Sequence, residues 1–110
     1  MVQYSSADID AAFAAVADPV RRGILERLGR AEASISELAG FFRMTLTGIK
    51  KHVAVLEDVR LVSSRKTGRV RTCRLGPRRL EKEAEWIEKY QRLMDARFDR
   101  LEAVLGRSKE

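Results

Sequence analysis

A short helical pattern, a tight break and a longer helical pattern, followed by a basic hairpin pattern, constrain the fold of this chain most strongly. Residues 35–62 read ISELAGFFRMTLTGIKKHVAVLEDVRLV, and the run SSRKTGRVRTCRL comes next. The break falls at Arg43-Met44. Two strand-like segments flank Thr67-Gly68, a dipeptide that suits a tight turn. A helix pair followed by a cationic β-ribbon fits the negatively charged grooves of a nucleic-acid duplex.

The positive charge of the chain is concentrated in this same region. The net charge of the 110 residues is +6. Residues 1–42 have a charge balance of −2, residues 43–76 of +7 and residues 77–110 of +1. An excess confined to the middle third is the electrostatic footprint of a nucleic-acid surface. The alternative is a solvated basic face that only keeps the protein soluble.

Helical periodicity predicts two helices before the pair. Asp8 is the candidate N-cap of the first helix. Asp18-Pro19 starts the second helix, with aspartate at the cap and proline at the first helical position, and Gly29 is its predicted end.

The helix pair itself has clear start signals. Ser34 or Ser36 caps the third helix, and Thr45 or Thr47 caps the fourth, which extends to about Val59. The apolar residues of the fourth helix recur at intervals of three and four and are predicted to face the core: Leu46, Ile49, Val53 and Leu56.

Strands are predicted at residues 61–65 and 70–75, with a turn through residues 66–69. The side chains of the second strand alternate between its two faces. Cys73 is therefore expected to pack beneath this ribbon as a small apolar residue.

The last helix is predicted to span about residues 78–105 and carries a seam typical of a coiled coil. One row of residues repeats every seven positions: Leu80, Ile87, Met94 and Leu101. A second row runs beside it: Ala84, Gln91, Phe98 and Leu105. Because so small a domain cannot cover the whole apolar stripe that these two rows form, we expect a homodimer formed by the first and last helices. The predicted interface residues are Ile9, Phe13, Ile87, Tyr90, Met94, Phe98, Leu101 and Leu105.

Polar side chains at the start of the fourth helix form the candidate groove-facing set: Thr45, Thr47, Gly48, Lys50, Lys51 and His52. Amides and hydroxyls at a helix N-terminus suit phosphate oxygens, and a longer side chain one turn further reaches base edges. The alternative is an ordinary amphipathic helix with solvated lysines.

The cations of the ribbon form the candidate wing set: Arg65, Lys66, Arg69 and Arg71. Such side chains clamp phosphates or enter a minor groove. The alternative is a charged edge hairpin that avoids aggregation.

Other classes of function have little support in the sequence. His52 and Cys73 are the only soft metal-ligand types and do not make a zinc signature, so no metal and no cofactor is expected. There is no glycine-rich phosphate loop, no GxSxG and no HExxH, so an enzyme and catalytic residues are not expected either.

No apolar run approaches the roughly 20 residues that span a bilayer, so no membrane partner is expected. The start, MVQYSSADIDAAF, lacks a basic head and an apolar signal core, and the lone Cys73 fits a reducing compartment. Both features predict a cytoplasmic protein.

Several segments together resemble the ArsR-type winged helix-turn-helix regulators. Residues 17–28, ADPVRRGILERL, resemble their opening ADPTRRxILxxL. Residues 35–39 resemble the first helix of their helix-turn-helix, and residues 50–56, KKHVAVL, resemble the SKHLxVL run of their recognition helix. The segment from Leu61 onward matches the start of their wing. The resemblance covers about residues 8–76.

This resemblance implies a dimeric repressor that binds double-stranded DNA at a promoter palindrome and is released by a signal. The recognition-helix and wing roles pass to the two candidate sets named above. Metal-sensing members carry a Cys-x-Cys before the turn, where this chain has Glu37-Leu38-Ala39-Gly40-Phe41. The chain thus resembles the subgroup without the metal-binding cysteine motif. Where relatives usually have serine, it has Lys50.

The prediction for the fold is a mainly α protein with a small β-hairpin (α+β). It consists of one winged helix-turn-helix domain over residues 1–110, with five helices and a two-stranded wing. Its parts are the helix-turn-helix at about 35–59, the wing at about 61–75 and the C-terminal dimerisation helix at about 78–105. Two alternative functions remain open: a protein-interaction module with this fold, and a thiol-based redox-sensing repressor that uses Cys73.

Overall fold

The computed structural model describes residues 5–108, with side chains through residue 106. These residues divide into two units, one ending at Leu80 and one starting at Glu81, and each is described by itself. The first unit contains α1 (Ser6–Val16), α2 (Pro19–Leu28), β1 (Ala33–Ser34), α3 (Ile35–Phe42), α4 (Leu46–Asp58), β2 (Val62–Thr67) and β3 (Val70–Leu75). The second unit is α5 (Glu81–Ser108). The predicted mainly α winged helix-turn-helix is confirmed.

Two of the helices begin with a reciprocal capping box. In α3, the Glu37 N–H donates to Ser34 Oγ and the Ser34 N–H donates to Glu37 Oε1, both at 3.0 Å. Ser34 is therefore the cap, rather than Ser36. The prediction for α1 was wrong by three residues: Ser5 is the N-cap and Asp8 is its partner inside the helix. A capping box places its acidic residue at the third helical position, which a search for a cap alone does not detect.

The other two helices of the first unit begin as predicted. Asp18 Oδ1 accepts the backbone N–H of Val20 at 2.8 Å, and Pro19 occupies the first turn. Thr45, rather than Thr47, caps α4 by accepting the Gly48 N–H at 3.0 Å.

The break between α3 and α4 is a Schellman turn. Arg43 adopts the left-handed conformation with φ 54°. Its N–H donates to the Gly40 carbonyl at 3.3 Å, and the Met44 N–H donates to the Ala39 carbonyl at 2.9 Å. This pair of bonds satisfies carbonyls at the end of α3 and turns the chain sharply into α4.

The core lies where α2, α3 and α4 meet the small sheet. Its largest fully buried side chains are Ile24, Leu38, Ile49, Val53, Leu56 and Cys73. The prediction that Leu46 also faces the core was wrong, because this side chain is 48% exposed. Leu46 is the first residue of α4, one turn before the part of the helix that packs on the core.

The sheet has three strands rather than the two predicted, in the order β1-β3-β2, all antiparallel. In β1, Ala33 pairs with Cys73 of β3. A two-residue strand has no periodicity of its own, so no sequence pattern predicts it. The hairpin is also tighter than predicted: Thr67 pairs with Val70, and Gly68 has φ 63°. Glycine suits this conformation because it lacks a Cβ.

The last helix begins at Glu81, not near residue 78, because backbone hydrogen bonds hold residues 76–78 against the turn that follows α4. The Gly76 N–H donates to the Leu61 carbonyl at 2.8 Å, and the Arg78 N–H donates to the Arg60 carbonyl at 3.3 Å. A Cβ on Gly76 would lie 2.3 Å from the Arg60 oxygen, so only glycine fits. Leu80 has φ 60° and packs against the core of the first unit, so it is not part of the helical seam.

The carboxylates that cap the helices make the free energy of unfolding depend on pH in the acid range. Backbone N–H donors hold the pKa of Asp8, Asp18 and Glu37 below their ordinary values, the largest contribution to Asp18 coming from the Arg21 N–H. A lowered folded-state pKa stabilises the fold above the unfolded pKa, about 4, and this stabilisation is lost as pH falls through the folded pKa.

We therefore expect Asp18→Asn to flatten the loss of stability below about pH 4, because an asparagine side chain still caps but does not titrate. Asp18→Ala, which removes the cap as well, should also lower the free energy of unfolding at neutral pH. Urea unfolding between pH 2.5 and 7 measures both effects. An acid profile of Asp18→Asn identical to that of the parent would contradict the assignment.

Candidate nucleic-acid interface

One side of α4 packs on the core and the other is exposed to solvent. Ile49 and Val53 are buried, whereas Thr47, Lys50 and Lys51 are exposed. This division follows from about 100° of rotation per residue in a helix. The three exposed polar side chains belong to the predicted groove-facing set and are available to a ligand.

Two members of that set have a local structural role. The Thr45 hydroxyl is occupied as the cap of α4. A Cβ on Gly48 would lie 3.2 Å from both the Met44 Cε and the Thr45 Oγ1. The absence of a side chain at Gly48 therefore gives room to the cap, and this accounts for the residue without reference to DNA.

His52 lies against α2 rather than on the open side of α4. Its Nδ1 is 3.2 Å from Arg21 Nη1 and 4.0 Å from Asp18 Oδ1. Since a guanidinium has only donors, Nδ1 must accept, which places the proton of a neutral ring on Nε2. Arg21 also donates to the Ala15 carbonyl at 2.7 Å and to the Ala14 carbonyl at 3.2 Å. His52 and Arg21 thereby tie α4 to the end of α1.

The wing is fastened to α4 by one of its own arginines. Arg71 Nη2 lies 3.1 and 3.2 Å from the two carboxylate oxygens of Glu57, and Arg71 Nε donates to Ser64 Oγ at 2.8 Å. Ser64 Oγ also donates to Glu57 at 3.1 Å. Arg71 thus forms an ion pair with a carboxylate of α4, whereas a solvated wing cation would have no such partner.

The other predicted wing cations line two clefts. Lys66 and Arg69 lie with Lys50 in a cleft of about 400 Å³ between the wing and the starts of α3 and α4. We call this the basic cleft; its lining is Ser34, Ile35, Ser36, Leu46, Lys50, Lys66, Arg69, Val70 and Arg71. Positive charge from the helix and from the wing therefore meets in one concave surface.

Arg65 faces a second, smaller cleft of about 230 Å³, lined also by Glu32, Thr67, Thr72 and Arg74. Arg74 is an exposed cation that the predicted set did not include. The alternation of side chains along the strand could have identified Arg74, because it lies on the same face of β3 as Thr72, which also lines this cleft. Leu46 and Val70 in the basic cleft were also missed, because an apolar side chain at helical or strand spacing is usually assigned to the core.

Cys73 is fully buried, as expected. Burial raises the pKa of the Cys73 thiol, Glu57 raises it further, and Arg71 has the opposite, smaller effect. A reactive thiol needs a lowered pKa and access to solvent. These surroundings disfavour the redox-sensing alternative.

Within residues 5–108, no three histidine, cysteine, aspartate or glutamate side chains are placed to hold a metal ion. In that same part of the chain, no helix is both long and apolar enough to cross a membrane.

The predicted interface residues of α5 form an exposed apolar surface. Ile87, Tyr90, Phe98, Leu101 and Leu105 are between 44% and 60% exposed, and Met94 is half-buried. Other large apolar side chains of the same helix are exposed too: Trp86, Leu93 and Val104. In the first unit, Ile9 and Phe13 of α1 are half-buried.

The chain is similar to known transcriptional regulators. A family of helix-turn-helix domains matches residues 16–65. The curated HTH-type transcriptional regulator Rv2034 of Mycobacterium tuberculosis (strain ATCC 25618 / H37Rv) is 37% identical over 68 residues, which are 62% of this chain and 64% of that regulator. The chain thus spans just under two thirds of this relative's length.

Solved structures extend the similarity over most of the chain. The crystal structure of the ArsR family transcriptional regulator RHA00566 is 39% identical, with a TM-score of 0.75, and the match covers 86% of this chain and 97% of that one. An ArsR-like transcriptional regulator from Rhodococcus sp. RHA1 is 34% identical, with a TM-score of 0.74, over 89% of this chain and 90% of that one.

The contact between Glu57 and Arg71 can be measured by a double-mutant cycle. We expect Glu57→Ala and Arg71→Ala to show a coupling energy of about 0.5–1 kcal/mol in urea unfolding, because one nitrogen of Arg71 contacts both carboxylate oxygens but the pair is partly exposed. The matched control is Glu57→Ala with Arg74→Ala, an arginine of the same strand, for which the coupling should be near zero. Equal coupling in both cycles would show that Arg71 does not fasten the wing.

Proposed function

Because this chain belongs to the ArsR family of transcriptional regulators, we propose that it is a homodimer that represses transcription by occupying a palindromic promoter site. A winged helix-turn-helix protein of this family is a DNA-binding regulator and not an enzyme. The observation that carries the proposal is the basic cleft, in which Lys50 of α4 meets Lys66 and Arg69 of the wing.

Each part of this surface has a proposed role. In each protomer α4 enters a major groove, with the exposed Thr47 and Lys51 directed to phosphates and base edges. The wing crosses to the neighbouring phosphates or the minor groove through Arg65, Lys66 and Arg69. Arg71 and His52 act mainly by positioning, since they contact Glu57 and Arg21.

The dimer is proposed on the apolar surface of α5 and on Ile9 and Phe13 of α1. An exposed stripe of this length on a helix is stabilised when a second copy covers it. A dyad-related pair of α4 helices then requires two half-sites about one helical turn, roughly 34 Å, apart. The C2 symmetry of the protein and the symmetry of a palindrome match.

The signal that releases the repressor is proposed not to be a metal ion. One support is the segment Glu37-Leu38-Ala39-Gly40-Phe41, which stands at the position of the cysteine motif. The other is that no three histidine, cysteine, aspartate or glutamate side chains within residues 5–108 are placed to hold a metal ion. A regulator of this kind works where the DNA is, so we propose a cytoplasmic location.

DNA binding is tested on sites selected from random duplexes with the purified protein. We expect Lys51→Ala to weaken binding to the selected site by about 1–3 kcal/mol and to leave nonspecific affinity little changed, as for loss of a base contact. Arg69→Ala should weaken binding to all sequences and lower the slope of log K against log salt by about 0.9, as for loss of one phosphate contact.

The matched control is Lys89→Ala, which removes a positive charge from the exposed surface of α5. It should change neither the specificity nor the salt slope by a comparable amount. If neither Lys51→Ala nor Arg69→Ala alters the affinity for DNA, the proposed function is wrong.

Dimerisation is tested by sedimentation equilibrium. Phe98→Ser removes a large apolar side chain from both copies, so the dimer dissociation constant should rise by about 100-fold or more. Asp99→Ser places the same side chain at the neighbouring position and should leave the constant close to that of the parent. A parent protein that is monomeric at micromolar concentration would rule the dimer out.

A further inference from the structure

Two apolar side chains lie exposed within the basic cleft. Leu46 is 48% exposed and Val70 is 54% exposed. Both line the cleft together with Lys50, Lys66 and Arg69. Scattered surface leucines are ordinary, but a leucine and a valine in one concavity that four cations line are a local pattern. This surface is complementary to a partner that is anionic and also offers an apolar group.

The position of Leu46 on α4 points to the bases. Leu46 is the first residue of the helix, and Lys50 lies four residues further, on the same side. The N-terminal residues of a recognition helix are those that approach base edges in the major groove. A leucine there has no hydrogen-bonding group, so it can distinguish bases only by an apolar contact.

Val70 is at the open edge of β3. The strand β1 ends at Ser34, which pairs with Thr72. The edge of β3 at Val70 and Arg71 therefore continues beyond the part that β1 covers, beside the start of α3. Val70 of the wing and Leu46 of α4 are thus apolar side chains from two different elements that line the same cleft.

Resting on the proposed function, we propose that Leu46 is a specificity-determining residue that reads the C5-methyl group of a thymine in each half-site. This methyl is the apolar group that the major groove displays, and cytosine lacks it. The cations around it bind phosphates and acceptor groups, which gives affinity and little choice of sequence. Val70 shields the contact from water on the side of the wing.

The contact is tested by replacing thymine with deoxyuridine, one position at a time, in the selected binding site. This substitution removes only the methyl group and leaves base pairing unchanged. For the parent protein, one position in each half-site should lose affinity by about fourfold, the factor for burying one CH₂-sized group. For Leu46→Ala, the same substitution should have almost no effect, because the apolar contact is already lost.

Two variants make the result specific. Leu46→Met keeps an apolar side chain of similar volume and should retain most of the methyl sensitivity. Leu75→Ala is the matched control: it removes a leucine with almost the same exposure, 47%, from the other end of β3. Leu75→Ala should retain the full fourfold effect. Thermal unfolding establishes that each variant is folded at the assay temperature.

The outcomes separate the inference from the proposed function. A protein that selects a defined site but shows no methyl-sensitive position would leave the function intact and overturn the inference. The same holds if Leu46→Ala keeps the methyl effect, or if it weakens all sequences equally, as a contact to deoxyribose would. Failure to select any site would overturn both.

Discussion

The left-handed turn at Arg43 is the constraint on which the nucleic-acid interface depends. Its two backbone hydrogen bonds, from Arg43 to Gly40 and from Met44 to Ala39, end α3 and fix the direction in which α4 leaves. A non-glycine residue in this conformation costs on the order of 1 kcal/mol. The bonds offset this cost by satisfying carbonyls at the helix end. With α4 held in this direction, its buried residues reach the core and its cations stay outside.

The cations on and beside α4 and the wing then divide into two groups with different tasks. Arg21 and Arg71 bind groups of the protein itself: Arg21 joins His52 to the end of α1, and Arg71 joins the wing to Glu57. Both are arginines, whose planar fork satisfies several acceptors at once. Lysines predominate on the exposed side of α4, where a flexible point charge suits a phosphate. Fixed arginines thus hold in place the surface on which the mobile cations act.

Most of the fold was predictable because the helix signals are local. Asp18-Pro19 marked α2, and the spacing of Ile49, Val53 and Leu56 identified the buried side of α4. The errors arose where the structure of a segment depends on a contact with residues far away in the sequence. The strand β1 exists only through its pairing with β3, and the start of α5 is delayed by bonds from residues 76 and 78 to the turn after α4.

The candidate site was predicted less completely than the fold, because exposure and orientation are properties of packing. His52 was expected on the open side of α4 but lies against α2. Leu46 was expected in the core but lies in the basic cleft. The two errors have different causes. Leu46 stands one turn before the part of α4 that packs on the core, and His52, in the middle of α4, lies on the flank of the helix that contacts α2.

In the proposed interface, positive charge and an apolar contact have separate roles in recognition. The charge balance of +7 over residues 43–76 attracts any duplex, and its effect is screened by salt. An apolar side chain adds a contact that salt does not screen and that depends on a methyl group at one position. If a cation stood in place of Leu46, the cleft would gain affinity for all DNA and lose a means of choosing among sequences. The specificity that we propose for Leu46 is thus a difference of affinities between bases, which the cations alone do not supply.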